Sequence, residues 1–312
     1  MKLNNPICIT EQNWPEGTIS KVSVFNWVYN HKDFIRESIE SILIQKTTFP
    51  VEIIIHDDAS NDGTKEIILE YQKIYPQLFN NILHKENQWS QGKSVMTPLF
   101  ENPVGKYIAL THGDDYWTDP LKLQKQVDFL ESNEEAAGTF HVCHTIRNGE
   151  VVKTSQAVEE PIDTVEKLFR NWREIHTLSL VFRNADEIIP AYAISKVRAG
   201  DLLLCTYLLS RGSLHSLRDN MGNYRKHAGG VSKTYELGKE LLFKSSNMLF
   251  LQELLTDKRY ENDWPFIKSY LEELIGEFER ELVRANHLLK SRPNSLKGFV
   301  KRKIKNTLFK KK

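Results

Sequence analysis

The sequence predicts an α/β fold: a mostly parallel, Rossmann-like sheet flanked by helices, with a C-terminal helical appendage. Three observations carry that expectation. Short apolar runs that stop at polar or acidic residues recur in the first part of the chain, in KVSVFNWVYN, VEIIIHDDAS and KYIALTHGDD. Stretches with helical spacing separate them, the alternation that parallel strands and crossover helices produce. From Leu237 to about Lys290 the pattern is almost entirely helical and rich in Leu, Glu and Lys.

Each element has a local reason. Residues 1–20 show neither pattern and form an N-terminal extension. After the first apolar run, Phe34, Ile35, Ile39, Ile42 and Leu43 share one helical stripe in HKDFIRESIESILIQ. After the second, Asp62 is a candidate N-cap and Pro76 a stop. After the third, Asp119 and Pro120 supply a cap and a first-turn proline for LKLQKQVDFLESN. GTFHVCHTI and HTLSLVFRN read as further strands, and AGDLLLCTYLLSRG returns to helical spacing with Asp201 at its opening. The later helical stretch breaks at NDWP. The expected divisions are the extension 1–20, a sheet domain 21–236, a helical appendage 237–294 and a basic tail 295–312. Open α/β sheets bind ligands beyond the carboxyl ends of their strands, so Tyr29, Asp57, Asp58, Asp114 and Asp115 are expected on one rim.

Composition narrows the class. The 312 residues are 40% hydrophobic and 27% charged, enough apolar content for a full core. No stretch approaches 18 consecutive apolar residues, and residues 1–20 have no continuous apolar run, so neither a membrane span nor a secretory signal is expected. Cys8, Cys143 and Cys205 are odd in number and scattered, which fits a reducing, cytoplasmic setting without a disulfide framework. The net charge is +1, of which eight positive charges lie between Lys297 and Lys312, leaving −7 for residues 1–296. A body of that sign is a poor general binder of nucleic acid. In the tail, Leu296, Val300, Ile304 and Leu308 recur at four-residue steps beside Phe299. That pattern fits a helix lying on anionic lipid at the inner face of the cell membrane, or a solvated basic terminus.

The chemistry concentrates in HGDDYW. Two adjacent carboxylates on a strand-end loop repel each other unless a cation lies between them. Mg2+ or Mn2+ suits the place, because these ions take oxygen ligands and leave positions for substrate phosphates. A pair of turn-capping acids is the plain alternative for the dipeptide alone. A second acidic pair ends the neighbouring strand in IIIHDDASNDGT, and the first continues into HGDDYWTDPLKLQKQVDFLE.

With these motifs in order, the sequence resembles the family 2 glycosyltransferases, inverting enzymes of the GT-A fold that use nucleotide-activated sugars. The resemblance runs from about Lys21 to about Ser232 and includes two further motifs, RAGDLLL and YRKHAGGVS. It implies a nucleotide-sugar donor, first a UDP-sugar, and a saccharide or lipid-linked acceptor, in surface polysaccharide synthesis. It implies that Tyr29 lies against the base, that Asp58 accepts the uracil N3–H and that Asp114 lies near the ribose and donor. Asp115 resembles the ligand of Mn2+ or Mg2+, with His227 as a further partner of the metal or diphosphate. Asp201 resembles the catalytic base that removes the acceptor hydroxyl's proton, although an Asp there serves equally as an N-cap. His176 and Thr177 match the family region lining the acceptor side, or are the polar end of a half-buried strand; Lys93, in SQGKS, is a candidate for the diphosphate or a solvated loop lysine. One departure stands out: Asn26, Trp27 and Val28 occupy positions where the family usually has a small pair such as Pro-Thr.

Two other classes share parts of the pattern. Nucleotidyltransferases of similar fold use paired acids, but the turn after the first strand reads VYNHKDF with no glycine. A non-catalytic saccharide-binding protein could keep the fold, but it would have no need of Asp58, Asp115 and Asp201 together.

Overall fold

A computed structural model of the chain describes residues 3–184, 200–229 and 247–290. It divides into two compact units, Met1–Ser195 with Leu204–His227, and Lys196–Leu203 with Ala228–Lys312. The N-terminal half runs β1 (Ile7–Cys8), β2 (Val22–Val28), α1 (Ile35–Leu43), β3 (Lys46–Thr47), β4 (Val51–Asp57), α2 (Thr64–Ile74), β5 (Ile82–Leu83), α3 (Pro98–Glu101) and β6 (Tyr107–His112). It continues with β7 (Tyr116–Trp117), α4 (Lys122–Ser132), β8 (Ala136–Arg147), β9 (Glu150–Thr154), α5 (Val165–Asn171), β10 (Val181–Arg183), α6 (Gly200–Leu209) and β11 (Ser213–Arg225).

The main sheet has the order β5-β4-β2-β6-β10-β8-β11-β7, with β9 on β8. Strand β2 is parallel to β4 and β6 and unbroken in register, from Val22 opposite Val51 and Tyr107 to Val28 opposite Asp57 and Trp27 opposite His112. All seven β2 residues are buried, because a central parallel strand is covered on both faces. The stripe of α1 packs into the same core, with Ile35, Ile39 and Ile42 fully buried beside Val24, Ile53 and Ala109. The three predicted strands therefore end together, and their loops share one rim.

Several local expectations shift. Helix α2 starts at Thr64, with Asp62 accepting from the Thr64 N–H (3.0 Å) and the Lys32 N–H (3.0 Å). Helix α4 starts at Lys122, and Asp119 accepts from the Leu121 N–H at 2.8 Å in the turn before it. HTLSLVFRN, expected as one strand, divides: Ser179 turns back on the His176 carbonyl through its N–H and hydroxyl, making a 3-10 turn at Thr177–Ser179 before the short β10. That β10 runs antiparallel between β6 and β8. Strand β8 extends beyond the predicted GTFHVCHTI and returns through Asn148 and Gly149, both at positive φ (53° and 83°), into β9. The largest addition is β11, thirteen residues long and parallel to β8. Its polar sequence, SLHSLRDNMGNYR, hides a strand broken by register shifts.

In the second unit, residues 247–254 are helical, a 3-10 segment covers Lys258–Asp263, and a long helix covers Trp264–Lys290. The break expected at NDWP is real: Asp263 closes the 3-10 segment, and Trp264 and Pro265 open the helix, where a proline needs no N–H partner. Ile267, Leu274 and Phe278 form its buried stripe. The tail 295–312 lies outside the described residues, and no helix among the described residues is long and apolar enough to cross a membrane.

Candidate active site

The first side of the rim is built on Asp58. Its N–H bonds to the Val28 carbonyl at 3.0 Å, which ties the end of β4 to the end of β2 beside Tyr29. Its two carboxylate oxygens accept the N–H groups of Gln88 (2.6 Å) and Trp89 (3.1 Å), and its carbonyl accepts from Asn87 Nδ2 (3.0 Å). Asp57 is turned into the protein, where Ser60 donates to it through N–H (3.1 Å) and hydroxyl (2.5 Å), and burial pushes its carboxyl up. Tyr29 is half exposed. The linking turns are strained, with Asn30 at φ 54° and Ala59 at φ 63°, left-handed conformations that cost a non-glycine residue about 1 kcal/mol or more. Asn30 compensates by donating its N–H to Ser60 Oγ (2.8 Å) and accepting the Asn61 N–H (2.9 Å). The bulky Trp27, which departs from the family pattern, is buried and donates its indole N–H to the Val95 carbonyl at 2.9 Å.

The second side is the acidic pair. Gly113 precedes it because a Cβ there would lie 2.7 Å from His31 Nδ1 and 3.0 Å from Val28 Cγ2. His227 Nε2 lies 3.0 Å from Asp114 Oδ2, and His31 Nε2 lies 3.9 Å from the same oxygen. Asp115, 1% exposed, sits behind and accepts the Arg225 N–H at 2.8 Å. Asp114 is therefore the partly open member of the pair and Asp115 the closed one. The two carboxyls diverge as a result. Burial pushes Asp114 up, but His31, His112 and His227 together hold it below the ordinary value. Burial, and then the neighbouring Asp114, push Asp115 well above it, against Arg225.

Arg225 joins these parts and was not singled out in the sequence. Its Nη1 donates to the Asp114 carbonyl at 2.6 Å and its Nη2 to Glu37 at 2.5 Å. Its guanidinium lies over the rings of Phe34 (4.9 Å) and Tyr116 (4.8 Å), and Phe34 also packs on His227 (4.5 Å). Strand β11 delivers Arg225 and His227 here because Asn223 pairs with Tyr116, just after the acidic pair. The signal for Arg225 was its place two residues before His227 in YRKHAGG.

The remaining candidates are dispersed. Lys93 is exposed on the loop of residues 87–93, whose turn closes through its N–H to the Gln88 carbonyl at 3.0 Å. His176 stacks on Tyr224 with centroids 5.1 Å apart and is pushed down to about 4, chiefly by burial; Thr177 follows it in the 3-10 turn. Asp201 sits in the first turn of α6 and accepts the N–H of Leu202 at 3.0 Å. The segment Lys196–Leu203 groups with the second unit, whereas Asp58, Asp114, Asp115 and His227 belong to the first. Among the described residues, no group of three or more His, Cys, Asp or Glu side chains is arranged to hold a metal ion.

The family model Glycosyl transferase family 2 matches residues 23–189, and the chain belongs to that family. It is 37% identical over 221 residues to an uncharacterized protein of Mycobacterium bovis, covering 67% of this chain and 60% of that protein. The chain thus spans somewhat over half the length of that relative. Among solved structures it resembles S. aureus TarS 1-349 in complex with UDP, with a TM-score of 0.57 at 18% identity over 88% of this chain and 76% of the other. It also resembles a mannosyltransferase of Pyrobaculum calidifontis in complex with GDP-Man and Mn2+, with a TM-score of 0.53 at 14% identity over 97% and 86% of the two chains. These likenesses identify the GT-A fold.

Proposed function

We propose that the chain is an inverting, metal-dependent glycosyltransferase that moves a sugar from a nucleotide donor, first a UDP-sugar, to a saccharide or lipid-linked acceptor in surface polysaccharide synthesis. The observation that carries this reading is the 3.0 Å contact of His227 with Asp114, which joins the end of the family-like region to the acidic pair. The bound nucleotides of the two solved relatives support the donor class, and the Mn2+ of one supports the metal.

The donor set fits Mn2+ or Mg2+. Asp114 Oδ2 and His227 Nε2, 3.0 Å apart, offer an oxygen and an imidazole nitrogen side by side. Two protein donors suffice for an ion that completes its shell with water and diphosphate oxygens. When bound, the ion supplies positive charge for the departing diphosphate. Tyr29 offers a flat face to the base. Asp58, with each oxygen already accepting one N–H, retains lone pairs for the imide N–H of uracil. Lys93 lies near the diphosphate, and His176 and Thr177 border the acceptor. Asp201 takes the proton of the acceptor hydroxyl as that oxygen bonds to the anomeric carbon and the nucleoside diphosphate leaves from the opposite face. Residues 21–236 carry this chemistry and residues 237–294 form an appendage. The tail 295–312 holds the enzyme to the inner face of the cell membrane.

The test is direct. Purified protein with Mn2+ is titrated with UDP-, GDP- and dTDP-sugars by calorimetry, and the anomeric configuration of any product is read by NMR. Binding of one donor class and an inverted product are expected. No nucleotide binding across the panel would refute the reading, and a retained configuration would refute the single displacement.

A further inference from the structure

Trp89 is a large indole left 54% exposed on a loop that is otherwise closely tied. Within residues 87–93 the Ser90 N–H and hydroxyl bond to Asn87 (2.7 and 2.9 Å), the Gly92 N–H bonds to the Trp89 carbonyl (3.0 Å), and the Gln91 N–H bonds to the Gln88 carbonyl (3.1 Å). Gln88 and Gln91 reach back to Glu86 through its carbonyl (2.6 Å) and carboxylate (2.9 Å). The loop is a preformed turn that presents the ring to water. It is anchored on Asp58, whose carboxylate takes the Gln88 and Trp89 N–H groups. Through its own N–H the same Asp58 holds the Val28 carbonyl, next to Tyr29, which is 45% exposed. Two exposed aromatic side chains therefore hang from one buried acid, at the rim where β2 and β4 end.

Resting on the donor reading above, we propose that Trp89 is a second aromatic wall of the base pocket, and that Asp58 positions it. A flat base bound beside Asp58 would meet Tyr29 from one segment and the indole of Trp89 from another. Stacking of this kind depends on any π-face and so adds affinity for the base, with little choice among bases. Choice is left to the polar contacts of Asp58. The arrangement also gives the backbone hydrogen bonds of Asp58 a purpose: they fix the loop before the donor arrives, so less ordering remains to be done on binding.

The experiment compares wild type, Trp89→Ala and Trp89→Phe by calorimetry with UDP, GDP and dTDP in Mn2+, and with Mn2+ pyrophosphate as a probe that has no base. Trp89→Ala is expected to weaken the preferred nucleotide by roughly 5- to 150-fold, the range of one aromatic–base stack. Trp89→Phe should recover most of that affinity, and all three proteins should bind pyrophosphate equally. Nucleotide should also quench wild-type tryptophan fluorescence more than that of Trp89→Phe. Unchanged nucleotide affinity in Trp89→Ala overturns the proposal while leaving the donor reading standing. Equal loss of pyrophosphate overturns it too, since the loop and not the stack would then be at fault. A wild type that binds pyrophosphate but no nucleotide overturns both.

Discussion

Lys122 offers the sharpest test of the physical account. It opens α4, is fully buried, and its ammonium has no hydrogen-bond partner among the described residues; it lies 4.1 Å from the centroid of Trp117. Burial pushes its pKa down to about 7. A fall from 10.5 to about 7 corresponds to about 5 kcal/mol that the fold loses to the lysine when the amine must be charged in the unfolded chain. The face of Trp117 returns about 1–2 kcal/mol. Lys122→Met keeps the length and removes the amine, so a gain of about 2–4 kcal/mol is expected at pH 7. The pH dependence is the stricter part. The folded pKa is depressed, so the penalty is complete below about pH 7 and fades as pH rises toward the unfolded value. The advantage of Lys122→Met should therefore shrink by about 2–3 kcal/mol between pH 7 and pH 9, at about 1.4 kcal/mol per unit. Urea unfolding of both proteins at the two pH values measures it. A difference that stays constant with pH, or a variant less stable at both, would show that the amine has a partner in solution and that the reasoning is wrong.

Other expectations concern the site. Asp114→Asn and His227→Ala should each abolish the Mn2+ dependence of UDP binding and leave the melting temperature within a few degrees, because both side chains are partly open; unchanged Mn2+ dependence in calorimetry counts against the metal assignment. Asp115→Asn should cost activity as well, but the fold should hold or gain stability at neutral pH, since its carboxyl is already pushed up by burial and Asp114; a large fall in the urea midpoint would contradict this. Asp201→Asn should bind UDP as wild type does and lose transfer by roughly 100- to 10,000-fold; a matching loss of UDP affinity would place it on the donor side. Removal of residues 295–312 should release the protein from anionic liposomes in a sedimentation assay and preserve transfer to a soluble acceptor, and a full-length chain that never sediments would show the tail to be a solvated terminus.

The fold was largely legible because its first half is encoded locally. The apolar runs of β2, β4 and β6, the stripe of α1 and the acids at the strand ends each follow from residues close together in sequence, and parallel pairing then places Asp58 and Asp114 on one rim. What the sequence concealed depends on partners far away. HTLSLVFRN carries enough β-branched and aromatic residues for one long strand, yet Ser179 bonding back to His176 turns its first half out of the sheet. Strand β11 is too polar to announce itself, and only its pairing with β8 and β7 makes it a strand. Lys122 belongs to the expected helix LKLQKQVDFLESN, and only its packing against Trp117 makes it a buried amine. The residue types of the site were thus determined by the sequence itself. That Asp114 is open and Asp115 closed, and that His227 meets an acid 113 residues before it, was decided by the tertiary structure. Burial and long-range register are properties of the assembled sheet, and no local window of residues contains them.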